Sequence, residues 1–189
     1  MWEQLEYLDQ YLLQTINKSF LSQYPDFWLF ITDITHWIPV YLILFLLLNI
    51  LLKGRKGILA SIFLIITTII SIVLTNFVKN EIARLRPNNE PLITETINIL
   101  QTPVNYSFWS GHSAVSMAII IFFILIIDKF KKSRWWLLFF IWPLLFGISR
   151  LFVGVHYPLD VITGYIAGAI VGYGFYKIYN YTITSRDLR

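Results

Sequence analysis

Hydrophobic and polar positions in this chain fall in long blocks, with none of the short alternations of a domain that folds in water. Apolar runs occupy residues 37–52, about 57–78, 113–127, 135–148 and 159–178. Each approaches the roughly 20 residues that a helix needs to cross a bilayer. The pattern predicts an all-α, polytopic membrane helix bundle of five spans, six at most, since a helix satisfies its own backbone inside hydrocarbon. Ahead of the spans, Leu5, Leu8, Tyr11, Leu12, Ile16 and Phe20 recur at three- and four-residue steps, with Glu6, Asp9, Gln10 and Lys18 between them. That predicts an amphipathic helix lying at the interface, too polar to span. Pro25 separates it from a second short segment at 26–36, where Phe27 and Trp28 suit the headgroup layer and Asp33 and His36 argue against hydrocarbon. Residues 1–36 are therefore expected to be interfacial segments of a single domain covering 1–189. Residues 1–9 include Glu3, Glu6 and Asp9 without a basic stretch and apolar core, so no cleavable signal peptide is expected.

Composition supports this picture: 57% of residues are hydrophobic and 14% charged, against about 25% charged in a typical soluble domain. The mean hydropathy is +0.63. With no cysteine, disulfides, thiol catalysis and thiolate metal sites are excluded. A net charge of +4 would suggest a nucleic-acid partner in a soluble protein. Here basic loops that set topology account for it, and membrane lipids are the expected surroundings, with no nucleic acid. Loops 53–56 and 128–134 carry seven lysines and arginines, and the tail adds Lys177, Arg186 and Arg189. Those sides are expected to be cytoplasmic. By alternation, the connection 79–111, the turn 150–158 and the amino-terminal segments face outward. Gly164, Gly168 and Gly172, four residues apart in the last span, predict close helix packing.

Three polar islands interrupt the apolar blocks. Lys79 and Arg86 lie seven residues apart, so they share a face if the second span continues as helix up to Pro87. Two cations suit an anion whose charge is spread over several oxygens; the alternative is that both snorkel to headgroups. Arg84 is expected to pair with Glu81 or Glu90 at the surface. Ser110, Gly111 and His112 precede the third span, where free backbone N–H groups and a glycine admit an anion and His112 can supply a proton. A plain helix cap is the alternative. Arg150 ends the fourth span, and His156 and Asp160 are four residues apart, close enough for a carboxylate to fix the imidazole tautomer. A structural His–Asp bond closing the turn is the competing reading. Two histidines and an aspartate can bind a metal, but Lys79, Arg86 and Arg150 would repel a cation and attract phosphate. No metal or cofactor is expected. Three cations, two histidines, an aspartate and an anion turn suit phosphoryl transfer.

The spacing resembles that of the type 2 phosphatidic acid phosphatase superfamily, which also includes the vanadium-dependent haloperoxidases. Its first motif (lysine, six residues, arginine, proline) matches Lys79 to Arg86 and Pro87. The second, usually proline-serine-glycine-histidine, matches Trp109, Ser110, Gly111 and His112, with tryptophan in place of proline. The third matches Ser149, Arg150, His156 and Asp160. The resemblance implies that His156 attacks phosphorus to form a phosphohistidine, that Asp160 orients it, and that His112 protonates the leaving oxygen. It implies that Lys79, Arg86, Arg150, Ser110 and Gly111 hold the phosphoryl group. It further implies hydrolysis of a lipid phosphate or diphosphate at the extracytoplasmic face of a bacterial inner membrane, with undecaprenyl diphosphate the first choice. Phosphatidylglycerophosphate, phosphatidate and lipid A phosphate compete as substrates. A lipid phosphoryl or headgroup transferase and a non-catalytic lipid-binding or transport protein are the competing functions.

Overall fold

The computed structural model describes residues 2–130 and 132–187. Lys131 and Arg189 of the topology argument lie outside the described residues, as does the side chain of Arg186. The helices are α1 (Trp2–Asn17), α2 (Pro25–Thr32), α3 (Ile38–Leu52), α4 (Gly54–Ile82), the single turn α5 (Pro91–Thr94), α6 (Gly111–Phe130), α7 (Ile141–Phe152) and α8 (Pro158–Asp187). Tight 3-10 turns at Ile34–Trp37 and Arg134–Phe140 lead into α3 and α7. Among the described residues, five helical stretches are long and apolar enough to cross a bilayer: α3 and α7 with their leading turns, α4, α6 and α8. The protein is an integral membrane protein with several transmembrane helices.

Helix α6 is the centre of the bundle. Ile120, Phe122, Phe123 and Ile126 on it are fully buried, while α3 and α4 leave Leu42, Ile43, Ile65 and Ile69 exposed, as a lipid-facing wall should. The glycine ridge of α8 lies directly on the α6 backbone. A Cβ added at Gly164, Gly168 or Gly172 would sit 2.7, 2.2 or 2.4 Å from the carbonyl oxygens of Ser110, Ala114 and Ala118. Nothing larger fits, and the contact fixes the register of α8 against α6.

Helix α1 docks by its polar side. Asp9, Leu13 and Asn17, spaced four apart, are buried, whereas Leu5, Leu8, Tyr11 and Leu12 are exposed. Asn17 Nδ2 donates to the carbonyls of Asn98 and Leu151 at 3.0 and 2.9 Å, and its Oδ1 accepts from the Asn98 N–H at 2.6 Å. Of the apolar stripe that marks α1 in the sequence, Leu5, Leu8, Tyr11 and Leu12 face away from the protein, while Ile16 packs half-buried against the core.

Candidate active site

The carboxyl end of α4, the amino end of α6 and the turn between α7 and α8 meet at one end of the bundle, opposite the loops 53–56 and 128–134. The first island is not built as the sequence predicts. Helix α4 ends at Ile82, where Ala83 turns left-handed at φ 50°, so Arg86 is extended and shares no helical face with Lys79. Both still reach the site from separate backbones. Lys79 Nζ donates to the Tyr106 and Ser107 carbonyls at 2.7 and 3.2 Å. Arg86 is held by Asn105, whose carbonyl accepts from Nε at 2.7 Å and whose Oδ1 accepts from Nη2 at 2.9 Å. Its Nη1 donates to the Val155 carbonyl at 2.9 Å and lies 3.0 Å from His156 Nε2.

The third island behaves as its spacing predicts. Pro158 opens α8, Asp160 sits in its first turn, and Asp160 Oδ2 lies 3.2 Å from His156 Nδ1 while accepting from the Tyr157 N–H at 3.0 Å. With the carboxylate on Nδ1, that nitrogen carries the proton and Nε2 keeps a lone pair, directed at the Arg86 guanidinium. Burial, reinforced by the charges of Arg86, Lys79, Arg150 and Arg84, holds His156 well below the usual histidine range. The imidazole is therefore neutral at pH 7 and chemically a nucleophile or base.

The second island supplies the amino end of α6. The Ser110 N–H donates to the Asp160 carbonyl at 2.9 Å, tying this turn to the third island. Where a proline would preset the backbone, Trp109 is anchored by its indole N–H, which donates to Thr75 Oγ1 on α4 at 2.9 Å. His112 packs on the Phe146 ring, and its Nε2 lies 3.0 Å from the Thr32 carbonyl. Arg150, in the last turn of α7, donates through Nη1 to Gln101 Oε1 at 2.9 Å and to Thr32 Oγ1.

Lys79, Arg86, Gly111, His112, Arg150 and His156 line one cavity of about 800 Å³. Ser110 and Asp160, also singled out by the sequence, are fully buried behind it. Most of the remaining wall is apolar, including Leu42, Phe45, Ile65 and Ile69 of α3 and α4, so the space runs from a cationic end to the lipid-facing side. Lys79, Arg86 and Arg150 are all buried, and with half-buried Arg84 they outnumber the neighbouring carboxylates, Asp9 and Asp160, by two. Unbalanced buried charge is costly, and a tetrahedral dianion in the cavity would offset it. Arg150 Nε, buried without a partner, is one donor available to such an anion. Among the described residues no group of three or more His, Asp or Glu is arranged to hold a metal ion.

Sequence reasoning missed Thr32, Gln101 and Asn105, which hold the cations, and no residue pattern announces them. It also missed Asp9 and misread Arg84. Arg84 pairs with neither Glu81 nor Glu90; its Nη2 lies 2.7 Å from Asp9 Oδ2 and its Nη1 2.8 Å from Asp160 Oδ1. Its position two residues before Arg86 was the one available signal.

A family model described as the PAP2 superfamily matches residues 60–184. The chain is 35% identical over 137 residues to an undecaprenyl-diphosphatase of Sulfolobus acidocaldarius, a match covering 72% of this chain and 60% of that protein's length. It is 32% identical over 184 residues to a lipid A 4'-phosphatase of Bacteroides thetaiotaomicron, covering 94% of this chain and 80% of the relative. Among solved structures, a transmembrane PAP2-type phosphatidylglycerolphosphate phosphatase from Bacillus subtilis superimposes with a TM-score of 0.71 at 19% identity, covering 95% of this chain and 87% of that one. That last likeness is one of fold.

Proposed function

The chain belongs to the PAP2 superfamily of lipid phosphatases, and from that membership we propose that it hydrolyses a lipid phosphate or diphosphate through a phosphohistidine on His156. The observation that carries this reading is the double tether of His156: Nδ1 on buried Asp160 and Nε2 beside the Arg86 guanidinium. The Nε2 lone pair attacks phosphorus while Lys79, Arg86, Arg150, Ser110 and the Gly111 N–H take up charge on the equatorial oxygens. The bond from phosphorus to the lipid oxygen breaks, and His112 gives that oxygen a proton. Because His112 Nε2 donates to the Thr32 carbonyl, Nδ1 is the nitrogen left for this exchange; it takes up a proton as the anionic substrate binds and passes that proton to the leaving oxygen. Water then attacks the phosphohistidine, His112 takes its proton, inorganic phosphate leaves, and His156 returns to its starting state. No step uses a metal.

The apolar wall beside the cations favours a substrate that keeps its tail in the bilayer. Undecaprenyl diphosphate is the first substrate to test, supported by the likeness to the undecaprenyl-diphosphatase of Sulfolobus acidocaldarius. Lipid A phosphate, phosphatidylglycerophosphate and phosphatidate follow. The whole chain works as one unit, with residues 1–36 at the interface and the connection 79–111 on the extracytoplasmic side of a bacterial inner membrane, where the site opens. The deciding experiment measures phosphate release by purified protein in detergent against this panel, with a chelator present, for wild type and for His156→Ala. Release by wild type, lost in the variant, is expected. Release abolished by chelation would overturn the metal-free route, and full activity of His156→Ala would overturn the nucleophile. Product formed with an added alcohol acceptor at the expense of free phosphate would identify a transferase.

A further inference from the structure

We propose that Asp9 and Arg84 are positioning residues for His156, acting through Asp160 as a carboxylate–guanidinium–carboxylate bridge that links the interfacial helix α1 to the nucleophile. The inference rests on the reading of His156 as the nucleophile.

Asp160 is fully buried and has two oxygens to satisfy. Oδ2 serves His156 Nδ1 and the Tyr157 N–H; Oδ1 accepts from Arg84 Nη1 at 2.8 Å. Arg84 therefore fixes the rotation of the carboxylate, so that the oxygen facing His156 is held in place. Without it, Oδ1 is a buried acceptor with no partner, and the carboxylate turns or takes up a proton. The guanidinium is itself clamped: its plane stacks on the Tyr157 ring, with the central carbon 3.9 Å from the ring centroid, and its other nitrogen, Nη2, donates to Asp9 Oδ2 at 2.7 Å. The second oxygen of Asp9 accepts from the Leu159 N–H at 2.8 Å, at the first turn of α8. Burial raises the Asp9 carboxyl on balance, against the pull of the Leu159 N–H and Arg84; the ion pair with the Arg84 guanidinium at 2.7 Å is the geometry in which the carboxylate carries its charge.

Charge explains why two carboxylates share one guanidinium. Arg84 alone would draw the negative charge of Asp160 away from the imidazole. Asp9 neutralises that pull, leaving the charge of Asp160 available to the cationic imidazole that forms when Nε2 bonds to phosphorus. The interaction matters most after attack, so its loss should appear in turnover more than in substrate binding. Asp9 lies in α1, outside the segment that the family model matches, and Arg84 occupies one of the six unspecified positions inside the first motif.

The test is steady-state phosphate release by purified, detergent-solubilised enzyme, with melting temperature recorded for each variant and His156→Ala as control. Arg84→Gln is expected to lower kcat about 100-fold with KM changed less than about 3-fold, and Arg84→Lys to recover part of the loss. Asp9→Asn keeps an acceptor for the Leu159 N–H but removes the charge and the second acceptor that faces Arg84; it should lower kcat about 10-fold. The Asp9→Asn, Arg84→Gln double variant should be no slower than Arg84→Gln alone, since Asp9 acts through Arg84. Losses that multiply in the double variant, a change confined to KM, or lower melting temperatures with kcat unchanged would each overturn the proposal. Full activity of Asp9→Asn and Arg84→Gln beside an inactive His156→Ala overturns the bridge and leaves the nucleophile standing; an active His156→Ala removes both.

Discussion

The two ends of the bundle carry the same cations under opposite conditions. At one end Lys53, Arg55, Lys129, Lys132 and Arg134 are exposed around the start of α4 and the end of α6. At the other, Lys79, Arg86 and Arg150 are buried, and each is held by carbonyl or side-chain oxygens that carry no full charge. An exposed lysine keeps its hydration and costs nothing to maintain, so these cations need no bound anion to offset them. A buried cation without a counter-charge is an expense that packing alone does not justify. The contrast teaches that burial, not residue type, separates the cations that call for an anion from those that water already stabilises.

Four measurements break or sharpen that contrast. The largest effect is expected from His156→Ala, which removes the proposed nucleophile: phosphate release should fall on the order of 10,000-fold or more, whereas Lys53→Ala at the other end should stay within about 2-fold. Arg150→Ala should cost about 100- to 1,000-fold in kcat/KM, with Arg150→Lys restoring only part because the planar fork is gone; the exposed counterpart, Arg134→Ala, should again be nearly silent. A comparable loss in Arg134→Ala would erase the distinction between the two ends.

The third measurement is pH-dependent stability. Unfolded, His156 gains a proton below about pH 6.5; folded, burial and its cationic neighbours keep it neutral to much lower pH. The unfolded chain thus binds more protons in this window, so stability falls as pH drops from about 6.5 to 5, by up to about 1.4 kcal/mol per pH unit for this one group. Thermal melting in detergent should show a shallower decline in His156→Ala than in wild type. The smallest effect belongs to Trp109→Phe, which keeps an aromatic ring of smaller size and removes the N–H donated to Thr75; about 1 to 2 kcal/mol of stability and less than a 10-fold change in phosphate release are expected.

Read by itself, the sequence determined everything that depends on local periodicity. The apolar blocks specified the spans, the four-residue glycine spacing specified the contact of α8 with α6, and the step from His156 to Asp160 specified their meeting across one helical turn. The order of the three motifs named the candidate site and the family. Only the tertiary structure decided which partners hold that site. Asp9 lies 75 residues from Arg84 and 150 from Leu159, and Thr32 lies 80 from His112 and 118 from Arg150. Separations of that size leave no period in the sequence, because each partner only needs to be polar and the packing of whole helices supplies the rest. The same limit explains Arg86, whose helix ends at a left-handed Ala83 that no residue pattern signals, and α1, whose visible apolar stripe faces mostly outward while three buried residues, two of them polar, make the contact with the protein.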